Sequence, residues 1–139
     1  MSMKQRVRVL IVDDHVHTRH ALQALLAVWP EIEVVGAVEH SAQLIHWVEE
    51  CRPDVVLVVG ISTPGLAQGQ GHERSGWSAE EMDGLEALRL IKNHWPQVRI
   101  VVLAMYATHR AAALAAGAEA FLLKGCPAQD LQDAILETG

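Results

Sequence analysis

Apolar residues along the chain fall into two alternating textures. Short apolar runs recur at Val7 to Val12 (VRVLIV), Ile32 to Val35 (IEVV), Val55 to Val59 (VVLVV), Val98 to Leu103 (VRIVVL) and Ala120 to Leu123 (AFLL). Each has the length of a strand. The third and fourth are too continuously apolar to leave one face in water, which predicts strands buried on both sides of a parallel sheet. Between these runs the apolar residues take helical spacing. Leu22, Leu25, Leu26 and Trp29 recur at i, i+3, i+4 and i+7, and Leu44, Ile45 and Val48 share one face, as do Leu85, Leu88 and Ile91. Leu131, Ile135 and Leu136 repeat the pattern behind Pro127, a residue suited to a first helical position. Pro30, Gly36, Pro53, Pro96, Gly117 and Gly125 stand where the textures change and are expected to break the elements.

Five strands alternating with five helices form a βα repeat. Short connections and right-handed crossovers then leave one economical arrangement, an α/β doubly wound five-stranded parallel sheet with helices on both faces. In such a sheet chemistry gathers beyond the carboxyl ends of the strands. The residues to read for function are therefore Asp13, Asp14 and His15, then Val59 and Gly60, then Ala104, then Lys124. One segment departs from the rhythm. Residues 66–81 (LAQGQGHERSGWSAEE) are long for a βα loop and mostly polar, which predicts a flexible insertion.

Composition narrows the class. At 139 residues, half of them apolar, the chain suits one domain spanning 1–139 with a single sizeable core. Eleven Lys and Arg against seventeen Asp and Glu give a net charge of −6, which argues against gripping nucleic acid or an anionic membrane. Cys51 and Cys126 have no close-spaced partners and no evident cationic activator, so neither a zinc knuckle nor a disulfide scaffold is encoded and both read as inert thiols. No apolar run reaches the ~18 residues of a membrane span, so a cytoplasmic domain is expected.

The segments VRVLIVDDH, EVVGAVEHSAQLIHWVEECRPDVVLVV, PG, MDGLEALRLI, VRIVVLAM and AGAEAFLLKG occur in this order. Together they resemble the receiver domain of bacterial two-component response regulators, and most of all the subgroup that precedes a LuxR/NarL-type DNA-binding module. The resemblance covers nearly the whole chain and implies the flavodoxin-like (βα)5 receiver fold. It also implies a chemistry: an acidic pair after the first strand and an aspartate ending the third hold Mg²⁺, and that aspartate accepts a phosphoryl group. A lysine after the fifth strand then pairs with the product, and a Thr or Ser after the fourth senses it.

Residue by residue, the match is uneven. Asp13 and Asp14 match the acidic pair and Lys124 matches the lysine, with the proline that usually follows it shifted to Pro127. The phospho-acceptor position falls on Val59, followed by Gly60, and the switch hydroxyl falls on Ala104. None of these three can do the family's work. Phe121 matches the aromatic switch residue, and with Ala104 small its ring has room either to stay inward permanently or to serve simply as a core aromatic. The stretch ATHRAAALAAG after the fourth strand is shorter than the family's counterpart, while 66–81 is inserted beside the acceptor position.

The expected molecule is a degenerate receiver: a non-enzymatic signalling domain acting through protein contacts rather than aspartyl phosphorylation. No cofactor is expected, since Asp13 and Asp14 without a third carboxylate make a weak Mg²⁺ site, to be weighed against two carboxylates relieved by Lys124 without metal. The resemblance implies a protein partner or self-association through the face of the fourth helix, fifth strand and fifth helix. DNA would be reached only through a module outside these residues, and no membrane contact is expected. An alternative is small-molecule sensing in the vacated cleft beneath 66–81. That insertion reads either as a lid or recognition loop using Trp77, or as a tolerated loop. His15, His17 and His20 lie close in sequence but diverge around a helix, and read as solvated.

Overall fold

The computed structural model describes residues 6–13, 16–39, 44–59, 84–104, 107 and 110–136, with only the backbone described for 84–87. Ten elements alternate without exception: β1 (Val7–Val12), α1 (Val16–Ala27), β2 (Ile32–Val38), α2 (Leu44–Cys51), β3 (Val55–Val59), α3 (Gly84–His94), β4 (Arg99–Ala104), α4 (Arg110–Ala116), β5 (Ala120–Leu123) and α5 (Ala128–Leu136). The strands pair in parallel in the order β2-β1-β3-β4-β5, the doubly wound α/β arrangement expected from the repeat. Because successive side chains point to opposite faces, each strand feeds two cores. Val9, Ile11, Val55, Leu57, Val59, Val101 and Leu103 pack under α1 and α5. Leu10, Val12, Val56, Val58, Ile100, Val102 and Ala104 pack under α2, α3 and α4.

The fully buried pattern of β3 and the nearly continuous one of β4 answer to the unbroken apolar runs. Helices cover both faces of the sheet at its centre, which leaves these two strands no solvent face. Trp47 and Trp95 lie against one core and Trp29 against the other, as packing residues. Among the described residues, no helix is long and apolar enough to cross a membrane.

Three boundaries differ from the sequence reading. The fourth strand runs from Arg99 to Ala104, one residue later than expected, and Trp29 lies beyond the end of α1 while still packing beneath it. The third difference concerns Gly36. It does not break the second strand, which continues through it to Val38. In the pairing of β1 with β2, Val9 faces Val34 but Leu10 faces Gly36, so Val35 is an extra residue in a β-bulge. A Cβ at Gly36 would stand 3.1 Å from Leu10 Cδ1 and 3.1 Å from Trp47 Cζ3. Glycine here marks a close approach rather than a turn.

Gly117 does end an element. It follows α4 with φ +118°, and the Gly117 and Ala118 amides donate to the Leu114 and Ala113 carbonyls, closing the helix in a Schellman motif. The Lys92 side chain passes over this turn, with its methylenes against Gly117. It donates to the Pro96 carbonyl (3.0 Å), the Val98 carbonyl (2.9 Å) and Glu119 Oε2 (2.8 Å), while Glu119 Oε1 accepts from the Ile100 amide (2.8 Å). That network ties the end of α3 to the starts of β4 and β5. Arg99 performs a similar task at α5, donating to the Ala134 and Ile135 carbonyls that the helix end leaves over.

The bulge gives a direct test. Gly36→Val drives two methyls into Leu10 and Trp47, and overpacking of this kind is expected to lower unfolding stability by about 1–3 kcal/mol in denaturant titration. An unchanged midpoint would mean that the close approach does not constrain the strand.

Candidate functional site

All five strands deliver their carboxyl ends to one edge of the sheet, and the residues singled out there come from β1, β3, β4 and β5. Asp13 follows β1 directly and is 1% exposed, the one buried charged residue among those described. Its backbone is gripped from two sides: the Asp13 amide donates to the Val38 carbonyl at 2.9 Å, and Arg19 Nη1 donates to the Asp13 carbonyl at 2.7 Å. Asp14, Gly60 and the insertion 66–81 lie outside the described residues, as do His15 and Trp77.

Val59 is the last residue of β3, 4% exposed, and belongs with Val55 and Leu57 to the core under α1 and α5. Its register partner on β4 is Leu103. A branched hydrocarbon therefore stands at the strand end, with hydrocarbon beside it. It offers no lone pair to attack phosphorus and no oxygen to a cation. Among the described residues, no group of three or more His, Cys, Asp or Glu is placed to hold a metal ion. Of the three positions that the resemblance assigns to a Mg²⁺ site, Asp13 brings a carboxylate and Val59 brings no oxygen donor, while Asp14 lies outside the described residues.

Ala104 ends β4 on the opposite face, buried and without a hydroxyl, and its carbonyl accepts from the Lys124 amide at 2.7 Å. That bond extends the β4–β5 ladder by one residue and fixes where Lys124 leaves the sheet. Lys124 is half-buried. Among the described residues no ion pair joins it to Asp13, and the ion pair they show is Lys92–Glu119.

Phe121 is buried in the core under α4, in the cluster that holds Ala104, Ala113 and Ala116. The small side chains of α4 let the helix sit close to the sheet over this ring. The Arg110 guanidinium lies 5.9 Å from the ring centroid, on the solvent side. A cation over an aromatic face contributes about 0.5–1 kcal/mol at an exposed site. Arg110 had no signal in the sequence, because its contact with Phe121 depends on how α4 lies against β5.

A cavity of about 200 Å³ also opens at this edge, lined by residues of α1, β4, the turn after β5, and α5. Its lining includes Thr18, Leu22 and Leu25, spaced i, i+4 and i+7 along α1, a pattern that in the sequence reads only as core. Cys126 is part of the same lining. Burial pushes the Cys126 thiol up, the Asp130 carboxylate adds in the same direction, and a hydrogen bond with its own backbone opposes them.

Comparison with known proteins agrees with this architecture. The response regulator receiver domain profile matches residues 77–136. The response regulator protein VraR of Staphylococcus aureus is 30% identical over 134 residues, covering 95% of this chain and 56% of VraR. The signal receiver domain of NarL from Mycobacterium tuberculosis superposes with a TM-score of 0.76 at 24% identity, over 96% of this chain and 95% of that one. RcsB of Salmonella typhimurium, solved in a study of its DNA interaction, gives a TM-score of 0.74 at 25% identity, over 94% of this chain and 60% of that one. The fold and these matches define a signalling module. Over residues 77–136 the chain matches the response regulator receiver domain, its neighbours are of the LuxR/NarL type, and it spans little more than half the length of the curated relatives it matches.

The thiol direction can be checked. With its folded-state value raised, Cys126 favours the neutral form, and the stability this brings holds below the unfolded-chain value and is lost as pH rises through the folded one. Alkylation of Cys126 by iodoacetamide, followed by mass spectrometry, is expected to rise at higher pH than for a small reference thiol. A midpoint at or below the reference would contradict the assignment.

Proposed function

We propose that this receiver signals without an aspartyl phosphate. The observation that carries the reading is Val59, a buried hydrocarbon at the end of β3 where the resembling family places its nucleophile. A valine cannot form the acyl phosphate bond, and Ala104 has no hydroxyl to engage its oxygens. The domain then works as a non-enzymatic contact module, with Mg²⁺ bound weakly at most by Asp13 and Asp14.

The contact is expected on the face of α4, β5 and α5. Leu114 on α4 is 43% exposed and Leu123 on β5 is 38% exposed. Ala111, Ala112 and Ala115 on α4 also face solvent. The strand β5 lies at the edge of the sheet, with one side of its backbone unpaired by any described strand. RcsB dimers have been solved on DNA. By analogy, DNA contact belongs to a module outside the receiver, and the receiver's part is to bring two such modules together.

Two experiments separate this reading from ordinary phosphotransfer. Incubation with acetyl phosphate and Mg²⁺ is expected to leave the intact mass unchanged, whereas a stoichiometric adduct labile to hydroxylamine would overturn the proposal. In sedimentation, a concentration-dependent dimer is expected that Leu114→Glu with Leu123→Lys weakens at least tenfold. A dimer indifferent to both changes would remove this face from the account.

A further inference from the structure

The cavity beside Lys124 has the make-up of a ligand site. Leu22 and Leu25 of α1, Leu103 of β4 and Leu131 of α5 supply hydrocarbon walls, and Thr18 and Lys124 bring the polar groups. Leu103 is the register partner of Val59, so the apolar floor continues from the strand end that carries no carboxylate. Lys124 is half-buried, and among the described residues no hydrogen bond or ion pair engages its ammonium group. A cation beside hydrocarbon attracts an anion more strongly than one in open water, because the local dielectric is lower. The leucines favour an apolar body. An apolar cavity of ~150 Å³ accepts benzene, so about 200 Å³ holds one ring, or a chain of similar bulk, with a single anionic head.

The geometry points to a binding site for small amphipathic carboxylates, with the apolar body against the leucines and the carboxylate on the Lys124 ammonium. The site goes beyond the phosphate-independent reading and does not rest on it. The cavity, and a lysine whose ammonium no described residue engages, are there whichever way the receiver is switched.

Benzoate is the probe. Titrated into the full chain and followed by methyl NMR, it is expected to shift Leu22, Leu25 and Leu131 saturably, with an affinity on the order of millimolar. Benzylamine lacks the anion and acetate lacks the ring, so neither is expected to move these signals. Lys124→Gln keeps the backbone bond to Ala104 and is expected to weaken benzoate about tenfold, the effect of losing one charge-assisted contact. Saturating benzoate is also expected to slow alkylation of Cys126, which lines the cavity, and to leave Cys51 on α2 unchanged. Absence of a saturable shift overturns the proposal, as does equal binding of benzylamine or full affinity in Lys124→Gln. Should that variant fail to fold, the amine, acetate and thiol-protection measurements on the unaltered chain decide the matter.

Discussion

A parallel sheet wound in the order β2-β1-β3-β4-β5 brings the carboxyl ends of its strands to one edge, and strict alternation of side chains decides what each end presents. In the centre of this sheet β3 is buried along its whole length. Its last side chain, Val59, is committed to the core under α1 and α5 by the same alternation that commits Val55 and Leu57. The proposed function rests on that commitment. At the strand end where the family resemblance would place a carboxylate, this chain extends its core by one more residue.

On the proposed reading, such an exchange leaves the fold intact while changing the chemistry. Carboxylates crowded at a strand edge repel one another and resist desolvation, and a bound cation is the usual relief. Substituting valine removes one of those charges and adds buried hydrocarbon, so Asp13 can remain at its 1% exposure with fewer like charges near it. The bond between the Lys124 amide and the Ala104 carbonyl is a backbone contact, and it is indifferent to both side chains. Thus the scaffold has its lysine, its buried acid and its aromatic at Phe121, while β3 ends in hydrocarbon.

The fold was largely legible because its signals are local. Apolar runs and helical spacing placed the five strands and four of the helices, and the βα repeat implied the helix at Arg110–Ala116. The resemblance of the DDH, MDG and LLKG segments pointed to the fold that the structural neighbours share. Gly36 was misread because a bulge and a turn use the same residue, and only the approach of Trp47 distinguishes them. Val59 and Ala104 could be located by counting along the strands, since register is carried by the pattern itself. The cavity and Arg110 could not. Each depends on how α1, α4 and α5 lie across the sheet, a long-range outcome that leaves only core-like spacing in the chain.

The central claim concerns one strand end, and beryllofluoride with Mg²⁺ tests it most directly, because this phosphoryl mimic binds an acceptor carboxylate without requiring transfer. The amide spectrum of the full chain, recorded with and without the mimic, is expected to keep the signals of Val59, Ala104, Phe121 and Lys124 in place. Saturable movement of those four together would mean that a carboxylate elsewhere serves this edge, and the account of a hydrocarbon-ended switch would fail.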